Sequence, residues 1–230
     1  MDFTRSAFLG GVSALLVAPA VADAAEVPQL STADPIGPSR GTPGQALAFL
    51  RAGNNRFRAG GSRRRPRPSA AKPQRPWAAL LTCADTRVGP EIVFDSGFGE
   101  LFVCRTAGNV AGPDVTGSIE FAVAEFHAPL VVVVAHSGCG ACDAAIQTFD
   151  GYPNPIPPAS IVSVVQKIMP AVSRVPRDGA ERLRRVIEVN ARLTAAALAA
   201  GPILAPAIAS GKLRVTWAYH NLADGIVTIH

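Results

Sequence analysis

The run LVVVVA at 130–135 constrains this chain more than any other stretch, because it offers no polar face at all. Strands that read this way are buried on both sides, the mark of a parallel sheet covered by helices. The run leads straight into His136 and, three residues on, Cys139. An earlier apolar strand, 79–82, leads as directly into Cys83, where C-x-D-x-R adds Asp85 and Arg87. Ligands of open α/β sheets gather outside the carboxyl ends of the strands, so these side chains stand where chemistry collects.

The rest of the chain alternates to match. A Pro/Gly-rich stretch around 27–44 reads as the end of a linker, 25–43, and a helical arm, ALAFLRAGNNRFRAG, follows it. Residues 101–105 read as a strand. Asp114 is placed to cap a helix to about 127, with Ile119, Phe121, Ala122 and Phe126 as its apolar face. Helices are expected over 140–150, 159–175 and 179–200, with a short one before Gly211 and a loop at 152–158. The end reads as a hairpin, 213–219 and 226–229, turning near Asp224-Gly225. The fold class is therefore α/β: one domain over 44–230, with a central mostly parallel β-sheet flanked by helices and a helical N-terminal arm.

At 230 residues, 48% of them apolar, the chain can bury a large core. Its net charge of +5 is local, since Arg63, Arg64, Arg65, Arg67, Lys72 and Arg75 account for more than all of it. The interleaved Pro66, Pro68, Pro73 and Pro76 forbid a continuous helix there, and no aromatic residue joins the run before Trp77. It reads as a solvated extended loop, with no nucleic-acid partner. At the N-terminus, Arg5 precedes an apolar run, 7–17, that is too short to span a bilayer. Ala20-Val21-Ala22 and Ala22-Asp23-Ala24 both fit a signal-peptidase site, so residues 1–24 are expected to be a cleaved signal peptide. Residues 4–9 look like a twin-arginine signal with one arginine missing. The expected location is the periplasm without a stable membrane anchor, or the cytoplasm if the segment is not cleaved.

Four cysteines in an exported chain would ordinarily count as two disulfides. Cys104 lies in the apolar ELFVCRT and reads as a small buried hydrophobe. Cys139 and Cys142 form a C-x-x-C, which suggests a redox pair, but a thioredoxin-like motif would not carry a histidine three residues upstream. Two soft thiolates and an imidazole, Cys83, Cys139 and His136, are instead the ligand set of a zinc ion with one position left over. Cys139 stands at the start of a helix, where backbone N–H groups favour a thiolate. A structural Cys2His site gains nothing from Asp85 and Arg87. The fork of an arginine suits a rigid clamp on one carboxylate.

The ordered combination of C-x-D-x-R, R-x-A-G-N and H-x-x-C resembles the β-class carbonic anhydrases over most of 44–230. The resemblance implies reversible hydration of carbon dioxide to bicarbonate at zinc, with Arg87 fixing Asp85 and Asp85 accepting a hydrogen bond from the water on the metal. It also implies that Asp85 can become the fourth ligand in a closed state. Gln74 matches a glutamine that hydrogen-bonds substrate, Phe102 an aromatic that lines the neighbouring subunit's pocket, and Gly108 the turn beside the metal. A homodimer or higher homo-oligomer follows, with residues 44–59 packing on the neighbour. Ala84 and Thr86 replace the family's more usual serines, and neither position is a ligand. Leu80 stands where bicarbonate-inhibited members carry tryptophan, and Arg105 matches their bicarbonate-binding arginine. Two other readings stay open: hydrolysis of carbon disulfide or carbonyl sulfide at the same site, and an exported non-catalytic zinc-binding or redox module.

Overall fold

A computed structural model describes residues 41–61, 74–151 and 159–230. The expected signal peptide, most of the linker, most of the basic loop and the loop at 152–158 lie outside the described residues. The elements run α1 (Pro43–Arg58), β1 (Ala78–Cys83), α2 (Pro90–Val93), β2 (Leu101–Thr106), a 3₁₀ turn (Ala107–Asn109), α3 (Pro113–Ala124) and β3 (Leu130–His136). Then come α4 (Gly140–Asp150), α5 (Ala159–Val172), α6 (Arg182–Ala199), α7 (Leu204–Ala209), β4 (Arg214–His220) and β5 (Val227–Ile229). The strands form one sheet in the order β2-β1-β3-β4-β5. All neighbours are parallel except β4 and β5, the expected terminal hairpin.

Every residue of β1 and β3 is buried, as an apolar run without a polar face requires. Alternation divides their side chains between two cores. Ala79, Leu81, Val131, Val133 and Ala135 pack under α3 to α6, and Ala78, Leu80, Leu130, Val132 and Val134 pack under α1. In register, Thr82 pairs with Val134, Cys83 with Thr106, and His136 with His220. Cys83 and His136 thus end adjacent central strands on the same edge of the sheet. Among the described residues no helix is long and apolar enough to cross a membrane.

Some local expectations shift. α3 starts on Pro113 with Gly112 as its cap, and Asp114 sits in the first turn without capping. A proline at the first helical position is pre-set for helix and needs no N–H there, so the helix begins a residue early. Phe121 is 41% exposed, off the buried face that Ile119, Ala122 and Phe126 share. α2 is a single turn, too short to leave a periodic signal. α6 starts at Arg182, past Gly179 with its φ of +133°. The N-terminal arm packs on its own chain: Ala46, Leu47 and Leu50 are buried against Trp77, Leu80, Val132 and Ala218. Gly53 permits that contact, because a Cβ there would lie 1.8 Å from the Phe94 carbonyl oxygen. Asn54 completes it, donating to the Val93 and Gly225 carbonyls at 3.2 and 2.9 Å and accepting from the Val227 N–H at 3.1 Å.

Candidate metal centre and active site

The edge where β1 and β3 end brings Cys83, His136 and Cys139 together, their ligand atoms all within 4.8 Å of one another. All three are buried, at 5%, 1% and 1% exposure. His136 arrives on the last residue of β3, and its Nδ1 lies 2.9 Å from the Ser137 carbonyl oxygen. That oxygen can only accept, so Nδ1 carries the proton and Nε2 the free lone pair. Nε2 is buried with no hydrogen-bond partner. Cys139 caps the N-terminus of α4. The facing Cys139 sulfur and burial push the Cys83 thiol up to about 12. The neighbouring Cys142 thiol and burial push Cys139 up to about 11. Without a cation, these sulfurs hold their protons; a divalent ion is what turns such a pair into thiolates. An orphaned, oriented imidazole nitrogen between two buried thiols fits zinc.

Asp85 and Arg87 form the expected clamp. Arg87 Nε donates to Oδ1 at 2.9 Å and Nη2 to Oδ2 at 2.6 Å, while the Arg87 backbone N–H adds 3.0 Å to Oδ1. These bonds hold the Asp85 carboxyl well below the usual carboxylate range, so it is ionised throughout the neutral range. Its Oδ2 lies 3.9 Å from His136 Nε2. Gly108 donates its N–H to Cys83 Sγ at 3.3 Å, with φ at +67° as its expected role requires.

The structure does not bring Gln74 to this cluster, and Phe102, expected at a neighbouring subunit's pocket, lies away from its own. Gln74 is exposed ahead of β1, beside the turn at Gly99. Phe102 pairs with Ala79, four strand residues (about 13 Å) from the Cys83–Thr106 pair, and packs 6.0 Å from the Phe126 ring. All four cysteines are free. Cys104 is half-buried rather than sealed, whereas Cys142 is fully buried behind Cys139.

Three further residues stand around the cluster, of which Arg105 was marked in the sequence, though for another role, and Asn190 and His220 were not. Arg105 donates Nε to the Cys83 carbonyl at 3.1 Å and Nη2 to the Asp85 carbonyl at 2.6 Å, so it braces the loop that bears ligand and clamp. Its signal is the arginine of R-x-A-G-N, one strand over. Asn190 is the polar residue on the buried stripe of α6, a break in an otherwise apolar face. His220 ends β4 beside His136, fully buried, with neither ring nitrogen partnered.

Comparison with known proteins agrees with this geometry. Residues 78–227 match the family model for carbonic anhydrase. Carbonic anhydrase 2 of Mycobacterium tuberculosis is 37% identical over 193 residues, covering 80% of this chain and 90% of that protein. The carbonic anhydrase of Mycolicibacterium smegmatis is 34% identical over 195 residues, covering 81% and 93%. Among solved structures, a tetrameric β-carbonic anhydrase of Sordaria macrospora superposes with a TM-score of 0.59 at 20% identity, covering 81% of this chain and 91% of its own. The Coccomyxa β-carbonic anhydrase in complex with acetazolamide gives 0.60 at 20% identity, covering 80% and 81%. The chain belongs to the β class of carbonic anhydrases, lyases that hydrate carbon dioxide.

Proposed function

We propose that the chain hydrates carbon dioxide reversibly at a zinc ion held by Cys83, His136 and Cys139, with Asp85 orienting the attacking water and Arg87 holding Asp85. The observation that carries this is the pairing of a buried Cys2His donor set with an ionised, clamped carboxylate 3.9 Å from the free imidazole nitrogen. Zinc, when bound, lowers the pKa of a coordinated water to about 7 and so supplies the nucleophile near neutral pH. Asp85, as a carboxylate, only accepts hydrogen bonds. It therefore fixes a proton of the attacking oxygen and leaves a lone pair turned toward the substrate. Arg87 keeps Oδ2 aimed, and Arg105 keeps the loop from moving away. Metal analysis is expected to find one zinc per chain, and stopped-flow assay to find hydration. Cys83→Ser, His136→Ala and Cys139→Ser should each lose both. A fully loaded variant would overturn the ligand assignment. Carbon disulfide and carbonyl sulfide run in parallel distinguish the hydrolase reading.

The chain is also proposed to act as a homo-oligomer. Ile92 and Phe98 are 61% and 64% exposed on either side of a groove at the start of β2, an edge strand, and Phe49 is 47% exposed on α1. The Sordaria relative of this fold is described as tetrameric. Export with cleavage after Ala22 or Ala24 is supported by the residue pattern at 5–24. The N-terminal mass of protein from its native host tests it, and an intact Met1 would overturn it.

A further inference from the structure

We propose that Asn190 is a positioning residue of the metal centre, holding the Gly108 turn so that the Gly108 N–H stays on the Cys83 sulfur. Asn190 comes from the middle of α6, more than eighty positions along the chain from the turn, and is 2% exposed. Its Nδ2 donates to the Gly108 carbonyl at 2.8 Å. The N–H of the same glycine donates to Cys83 Sγ at 3.3 Å. One residue is therefore gripped on its carbonyl side by α6 and delivers its N–H to the sulfur.

The turn needs such a grip. Gly108 has φ +67° and ψ +19°, and Asn109 follows at φ +47°, so two successive residues lie in the left-handed region. No side chain can stiffen the first of them. A Cβ on Gly108 would lie 2.7 Å from Ile168 Cδ1 and 3.1 Å from Ala141 Cβ. Both the positive φ and these contacts favour glycine here, and glycine has the broadest choice of backbone angles. Thr106 Oγ1 donates to the Val110 carbonyl at 2.8 Å, which closes the turn's ends but makes no contact with its middle residue. Asn190 fixes that middle. It is also the polar residue on a stripe otherwise formed by Val186, Ile187, Ala191, Ala195 and Leu198. An amide there carries a desolvation cost unless it has a partner to hold.

This inference rests on Cys83 being a metal ligand. An N–H donor draws charge from a thiolate, so its loss changes both the fit and the electronics of the ligand. The test uses the full chain with cobalt in place of zinc, comparing wild type with Asn190→Asp and Asn190→Leu. Aspartate keeps the shape without an N–H donor; leucine keeps the volume without a charge and serves if the aspartate fails to fold. Both are expected to move the thiolate-to-cobalt charge-transfer band to lower energy. Both should also weaken zinc binding about tenfold or more in competition with a chelating dye. A band that stays put with affinity within about twofold of wild type, beside a lowered melting temperature, would leave Asn190 a packing residue and overturn the proposal. A wild-type chain that takes up neither metal would remove the metal reading, and this inference with it.

Discussion

Asp85 is the residue to which the proposed chemistry gives the orienting role, and its environment states how it should fail. Both carboxylate oxygens accept from Arg87, so Asp85→Asn must present an amide N–H₂ to a guanidinium N–H. Two donors facing each other break the fork, and the amide can donate where only acceptance is useful. We expect Asp85→Asn to keep its zinc while hydration falls about 100-fold or more. Near-normal turnover in stopped flow would take Asp85 out of the mechanism. His220 sets a separate, thermodynamic expectation. Burial, above all, pushes it down from its ordinary 6.5 to about 4. Between these values the unfolded chain binds a proton that the folded chain refuses, so unfolding gains. The contribution is fully present above about pH 6.5 and is lost as pH falls toward 4, by up to about 3 kcal/mol. Denaturation from pH 4 to 7 should show a shallower acid slope in His220→Leu, and an unchanged slope would contradict the assignment. The proposed ligand triad was legible because Cys83 and His136 end strands that announce themselves and Cys139 follows three residues on, at the start of α4. Asn190 and His220 were not, nor was the bracing contact of Arg105, because each meets residues that only strand register and helix docking bring near.

At the scale of elements, α1 shows why a pattern can name a face without naming its partner. Leu47 and Leu50 announce an apolar stripe, yet nothing in the stripe says that it lies on this chain's own sheet. Gly53 holds that information, since any side chain there meets the Phe94 backbone. Gly53→Ala should therefore destabilise the chain by about 2 kcal/mol or more despite its better helix propensity. Gly44→Ala on the same helix, which would meet only Thr42 Oγ1 at 3.8 Å, should stabilise by up to about 1 kcal/mol. Equal effects of the two in urea denaturation would show that the contact with Phe94 does not hold α1. The missed start of α3 and the single turn of α2 have a common cause. Short helices and caps are settled by backbone conformation over one or two residues, where periodicity carries no weight.

For the whole molecule, the alternation of strands and helices was readable because the central parallel strands β1 and β3 are buried on both faces and parallel strands must be separated by crossovers. Which surface meets another copy was not. The stripe on α1 is largely covered by its own chain, and the two most exposed large apolar residues among those described, Ile92 and Phe98, line the groove at β2 instead. Replacing Ile92 and Phe98 together by Asp should shift the sedimenting species toward monomer without unfolding it. An unshifted oligomer would place the interface elsewhere.

β1 and β3 have no exposed residue, and their ends deliver Cys83 and His136. An ion at that point is tied to the strands that part last when the molecule breathes. If zinc is held there as proposed, its replacement from solution should be paced by separation of the sheet's centre rather than by the lability of zinc itself. Labelled zinc should enter loaded protein on the same timescale as deuterium enters the amides of Leu80, Leu81, Val132 and Val133.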